Sequence, residues 1–197
     1  MSLHLLQTVQ QNLGYPALQK VDPNTKQIIE DTTTPDEHKF SQAALPAVLT
    51  GLYKYAQTDE GANEILASDG DEQWVSKIFD ENKKEAIQII SSYAKQSSDD
   101  PLSKMNAIAA EAAKVIREQV GENGTIKSVK DFFINQKNDI LLYLLPTLKM
   151  GDLLHDNTLD DGTNKMEGPI SSLMHSLGSV FTNPTTNEEL EKKENDL

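Results

Sequence analysis

The densest group of side chains able to do chemistry is Asp152, His155, Asp156, Asp160 and Asp161, with Gly162 behind them. On a helix, Asp152, His155 and Asp156 stand at i, i+3 and i+4 and face one way, as metal ligands on bundle helices do. These three are the candidate metal ligands; the alternative is a solvated helix end leading into an acidic loop. An EF-hand does not fit. Counting from Asp156, Thr158 takes the third position and Asp161 the sixth, where a calcium loop requires an oxygen ligand and a glycine. His4, His38 and His175 could join His155 only if the fold gathered them. Ser171 and Ser172 lie near His175, but no Gly-x-Ser-x-Gly elbow and no oriented Asp–His pair accompanies them. Walker and dinucleotide-binding glycine patterns are absent from the sequence as well. No catalytic constellation and no cofactor is expected.

Residues of this kind need elements to position them, and the hydrophobic periodicity supplies helices. Leu5, Leu6, Val9 and Leu13 recur at helical spacing before Gly14, and a short helix is expected between Val21 and Pro35. Thr34-Pro35-Asp36-Glu37 starts the next helix, with Phe40, Ala43, Ala44, Ala47, Val48, Leu52 and Tyr55 as its buried stripe. Thr58-Asp59-Glu60 caps a short helix bearing Ala62, Ile65 and Leu66. Trp74, Val75, Ile78 and Phe79, then Ala86, Ile87, Ile90, Tyr93 and Ala94, form two helices or one bent one, with the aromatic rings as core. Asp100-Pro101 opens a strong helix that Gly121 and Asn123-Gly124 end. A segment with Val129, Phe132 and Phe133 follows, then a further helix from Asn138 through Leu145-Pro146 toward Leu154, and another from Pro169. β-Branched and aromatic residues nowhere alternate over a strand length. The expected fold is all-α: a multi-helix bundle over 1–182, with a subdomain boundary near 97–101 and a charged tail at 183–197.

One phrase occurs twice, Leu45-Pro46-Ala47-Val48-Leu49-Thr50-Gly51 and Leu145-Pro146-Thr147-Leu148-Lys149-Met150-Gly151. A proline inside a helix removes one backbone hydrogen bond and costs about 3 kcal/mol, so each copy should kink a helix or start one. The repetition predicts two related helical units, each phrase a packing joint; as hinges they could instead enclose an apolar ligand. Leu141, Leu142, Leu144 and Leu145 cover more than one helix face. That segment is therefore either central to the bundle or pressed against a partner.

The run Gln42-Ala43-Ala44-Leu45-Pro46-Ala47-Val48-Leu49-Thr50-Gly51-Leu52, with Ala56 and Glu60-Gly61-Ala62 after it, resembles the YidB-like bacterial helical family, a family of unknown function. The match is best over Gln42–Leu66, looser elsewhere, and the chain departs from the family's richness in glycine. The resemblance implies an all-α bundle and carries no catalytic residues with it.

The bulk properties narrow the partners. The 197 residues include 31 acidic and 18 basic side chains, a net charge of −13. Such a surface opposes nucleic acid and anionic lipid. No cysteine is present, which fits a reducing compartment. The amino terminus lacks the pattern of a signal peptide, and the longest apolar run, Ile140 to Leu145, falls far short of a membrane span. A soluble cytoplasmic protein is expected, acting without catalysis by binding a protein partner or by self-association; the alternatives are a metal-binding module or metal-dependent enzyme built on Asp152, His155 and Asp156, and a carrier for an apolar ligand.

Overall fold

The computed structural model describes residues 3–21, 35–70, 73–95, 100–156 and 159, all within one compact unit, Met1–Lys165. Its helices are α1 (Leu5–Asn12), α2 (Asp36–Ala56), α3 (Asp59–Ala67), α4 (Trp74–Phe79), α5 (Lys83–Ala94), α6 (Pro101–Val120), α7 (Ile126–Leu141) and α8 (Met150–Leu153). Short 3-10 turns lie at Asp80–Asn82 and Pro146–Leu148, and the described residues contain no strand. The all-α multi-helix arrangement is as the periodicity predicts. The helices expected within 21–35 and from Pro169, the domain limit at 182 and the tail fall on residues outside those described.

Local signals set most helix ends. Thr58 caps α3 by accepting from the Gly61 N–H, Asp100 caps α6 by accepting from the Ser103 N–H with Pro101 next to it, and Gly121 ends α6 with φ +73°. Thr125 and Ser128 exchange side-chain-to-backbone hydrogen bonds at the start of α7, satisfying two donors that a helix end leaves free.

Helix α2 is the centre. It packs against α1, α3, α4, α5, α6 and α7, and residues 39–52 are buried on every face rather than along the single stripe expected. Small side chains at Ala43, Ala44, Ala47 and Gly51 permit this, because neighbouring helices can come close all round. At Gly51 a Cβ would lie 2.2 Å from Ile78 Cγ2 of α4. The polar groups caught in this stretch bond locally: Thr50 Oγ1 donates to the Pro46 carbonyl at 2.7 Å and Ser41 Oγ to the His38 carbonyl at 2.9 Å.

The two Leu-Pro phrases have different backbones. Pro46 sits inside α2, whereas Leu145 is extended and Pro146 opens a 3-10 turn that Lys149, at φ +46°, joins to α8. The first phrase brings α4 against Gly51; the turn of the second packs against α5. Similar residues thus form two unlike joints. The helix expected from Asn138 to Leu154 is also replaced. α7 runs unbroken through the polar run 135–139 and stops at Leu141. Pro146 has no N–H for the Leu142 carbonyl, which accepts from the Val21 N–H at 2.8 Å. By breaking there, the apolar segment folds into the core: Ile140, Leu141, Leu144, Leu148, Met150, Leu153 and Leu154 are all buried.

Two buried glutamines fasten the amino-terminal segment to this core. Gln136 of α7 accepts from the Leu5 N–H and donates to the Leu3 carbonyl, both at 2.8 Å. Gln42 of α2 pairs with both backbone groups of Gln19, at 2.8 and 2.9 Å. Each amide does for an irregular segment what a neighbouring strand would do.

Two stability measurements test this packing. Gly51→Ala gains helix propensity, yet the contact with Ile78 makes it destabilising by about 1–3 kcal/mol in urea unfolding. The cost is smaller in an Ile78→Ala background, so the two changes are not additive. Gln136→Leu leaves a buried donor unpaired and costs about 1–3 kcal/mol. Hydrogen exchange at the start of α1 rises more than exchange in α2.

Candidate functional site

The candidate metal ligands do not share a helix face. α8 ends at Leu153 and His155 has φ +51°, so the i, i+3, i+4 geometry is lost. Asp152 is exposed on α8. His155 turns toward the 3-10 turn at Asp80–Asn82, with Nε2 3.4 Å from Glu81 Oε1 and 3.3 Å from Asn82 Nδ2. Asp156 pairs instead with Lys54 of α2, Oδ2 to Nζ 2.7 Å. Among the described residues no group of three His, Asp or Glu side chains is placed to hold a metal ion. His4 Nδ1 lies 2.9 Å from Asp139 Oδ2, far along the chain from the other histidines. Asp160, Asp161, Ser171, Ser172 and His175 are outside the described residues.

The recess lined by Thr50, Tyr53, Lys137, Ile140 and Leu141 has no room for a water molecule. Phe133 fills the adjoining core and meets Tyr53 and Phe132 edge-on, with centroids 6.2 and 6.1 Å apart.

An open groove of about 470 Å³ lies instead at the carboxyl end of α6, lined by Leu66, Arg117, Glu118, Gly121, Glu122 and Gly124. Its shape follows from the turn between α6 and α7. The left-handed Gly121 stops α6 and accepts from the Gly124 N–H at 2.9 Å. A Cβ on Gly124 would come within 2.6 Å of Val120 Cγ2 and 2.9 Å of Leu66 Cδ2, so glycine lets the turn lie directly on α3. Lys130 of α7 reaches Asp59 in the first turn of α3, Nζ to Oδ1 2.6 Å, and links the two helices.

Arg117 distinguishes this groove. It is the single arginine in a chain with 18 basic residues, and its Nη1 is buried with no hydrogen-bond partner among the described residues. Arginine in a last helical turn suits the helix dipole, but a lysine would do that equally well. A guanidinium has a planar fork of donors that fits a carboxylate, and a buried donor left unpaired costs about 1–3 kcal/mol. Glu118 and Glu122 line the same groove and are exposed. Sequence spacing gave no sign of this site; the signal within it was the lone arginine.

A second cluster joins α2, α3 and α4. Glu64 Oε2 accepts from Lys77 Nζ at 2.7 Å and from Tyr55 Oη at 2.9 Å, and Lys77 stands over the Trp74 ring, 5.4 Å from its centroid. The Lys77 hydrogen bond, opposed by burial and aided by the Tyr55 bond and the Lys77 charge, holds the Glu64 carboxyl below its ordinary 4.5. Burial first, then the bond to Glu64 and the charges of Glu64 and Glu60, push the Tyr55 phenol well above its ordinary 10.0. Each group is held in its resting protonation state, as befits a structural clamp.

Against known proteins, no family model, curated protein or solved structure matches this chain.

The clamp has a pH signature. Glu64 is depressed in the folded state, so its contribution is present above 4.5 and is lost as pH falls through the folded value. Tyr55 is raised, so its contribution is present below 10.0 and is lost as pH rises through the folded value. Glu64→Gln should destabilise by about 1 kcal/mol at neutral pH. The gap from the parent protein narrows on acidification, which unfolding curves measured across that range will register.

Proposed function

We propose that this chain is a non-catalytic helical module that acts by binding another protein. The observation that carries the reading is the open groove of about 470 Å³ at the end of α6, lined by Leu66, Arg117, Glu118 and Glu122. Most apolar side chains from Ile140 to Leu154 are buried in the core, with Leu142, Tyr143 and Leu145 partly covered, which favours recognition elsewhere over a broad apolar face in this segment. Ile134 is the large apolar side chain left exposed among the described residues, at 58%; one such residue is ordinary on a soluble surface. Recognition then relies on a groove with a few placed polar groups rather than on an extensive greasy patch.

The resemblance of Gln42–Leu66 to the YidB-like family belongs to the same proposal, and those residues form most of α2, the Thr58-capped turn and most of α3. No helix among the described residues is long and apolar enough to cross a membrane. The net charge of −13 further supports a protein rather than a nucleic acid or anionic lipid as partner, and a cytoplasmic setting is part of the proposal.

Light scattering combined with cross-linked affinity capture tests it. A partner retained by the parent protein and lost on Arg117→Gln is the expected result. A strict monomer that retains nothing overturns the reading.

A further inference from the structure

We propose that Asn123-Gly124, in the turn between α6 and α7, is a self-modification site, where the asparagine converts to aspartate and isoaspartate at a rate set by the turn's own hydrogen bond. The inference does not depend on the protein-binding reading. Asparagine is a chemically labile residue, and Asn123 is the one asparagine in the chain that glycine follows. That neighbour matters because its backbone nitrogen must reach the side-chain amide carbon, and a residue without a Cβ leaves the approach open. Asn123 is exposed, so water and hydroxide reach it. Packing also demands the glycine. A Cβ on Gly124 would lie 2.6 Å from Val120 Cγ2 and 2.9 Å from Leu66 Cδ2, so a bulkier, slower-reacting neighbour must displace both side chains.

Hydroxide removes the Gly124 N–H proton and the nitrogen attacks the Asn123 amide carbon. The side-chain nitrogen leaves as ammonia with a proton from water, which restores the hydroxide and leaves a succinimide ring. Water then opens the ring at either carbonyl, giving aspartate or isoaspartate. In the folded chain the first step is held back. The Gly124 N–H donates to the Gly121 carbonyl at 2.9 Å, and the proton leaves only when that bond opens, as it does in hydrogen exchange. Gly121, at φ +73°, shapes the turn that aligns the bond. Conversion places a new carboxylate between Glu122 and Gly124, two residues that line the α6 groove with Glu118. Isoaspartate also adds a backbone methylene to a turn that lies directly on Leu66.

The test incubates the full chain in mildly alkaline buffer, folded and unfolded in guanidinium chloride, and follows the tryptic peptide 118–127 by mass spectrometry. Asn123 is the one asparagine in that peptide. The unfolded chain should gain the mass of an amide turned to acid there and yield separable aspartate and isoaspartate forms. The folded chain should convert slower by about 10-fold or more, and its Gly124 amide should be protected from hydrogen exchange. Gly121→Ala strains the left-handed turn and should bring the folded rate toward the unfolded one, while Asn123→Gln should remove the mass gain. Comparing the two states of the parent protein needs no variant, so a Gly121→Ala protein that fails to fold leaves the test intact. Absence of conversion in the unfolded chain overturns the site. Equal rates in the two states, or a faster folded rate, overturn control by the turn.

Discussion

Everything in this molecule leans on the burial of α2 from all sides. A helix enclosed by six others can exist only if its own side chains leave room. Alanine at 43, 44 and 47 and glycine at 51 supply that room. Close approach and complete burial are therefore one constraint seen from two directions. Gly51 shows it most sharply, because the surface that a methyl group would occupy already belongs to Ile78. The same enclosure explains how a proline survives at position 46: the surrounding packing holds a helical backbone that Leu-Pro alone disfavours. Leu145-Pro146, without that enclosure, takes the extended backbone and turn that the dipeptide prefers.

The periphery is attached by directional bonds as well as by apolar area. Gln42 and Gln136 each capture a backbone donor and a backbone acceptor from the first 19 residues. Leu5, Leu6 and Val9 add apolar burial to α1, but the segment at 15–21 has no helical bonds of its own. Its anchors are the Gln42 clasp, the Gln10 side chain on the Tyr15 carbonyl, and the Leu142 carbonyl freed by Pro146. A break in one part of the chain thus supplies the acceptor that another part requires. This economy ties the end of α7 to a segment more than a hundred residues away.

Charge is arranged by the same logic. The clamp of Tyr55, Glu64 and Lys77 and the pairs Lys54–Asp156 and Lys130–Asp59 each join different elements. Among the described residues Arg117 Nη1 has no hydrogen-bond partner, and the groove that Arg117 lines has apolar and acidic walls. The aspartates and histidine that looked most like ligands are drawn off to separate neighbours, Asp156 to α2 and His155 to the turn before α5.

Local chemistry alone determined the all-α character and most helix starts and stops. Thr58, Asp100-Pro101 and Gly121 act through groups within a few residues, so their meaning survives without knowledge of the fold. The stripe in α1 and the core roles of Trp74, Phe79 and Phe133 were equally legible, since hydrophobic periodicity is a local record of burial. Tertiary packing decided what depended on distant groups. It carried α7 through a polar run because Gln136 had Leu3 and Leu5 to bind. It made two similar Leu-Pro phrases unlike because only one is enclosed, and it moved Asp156 away from His155 because Lys54 lay within reach. The Arg117 groove is of this second kind: its walls come from α3, α6 and the turn after α6, and no spacing along the chain records their meeting.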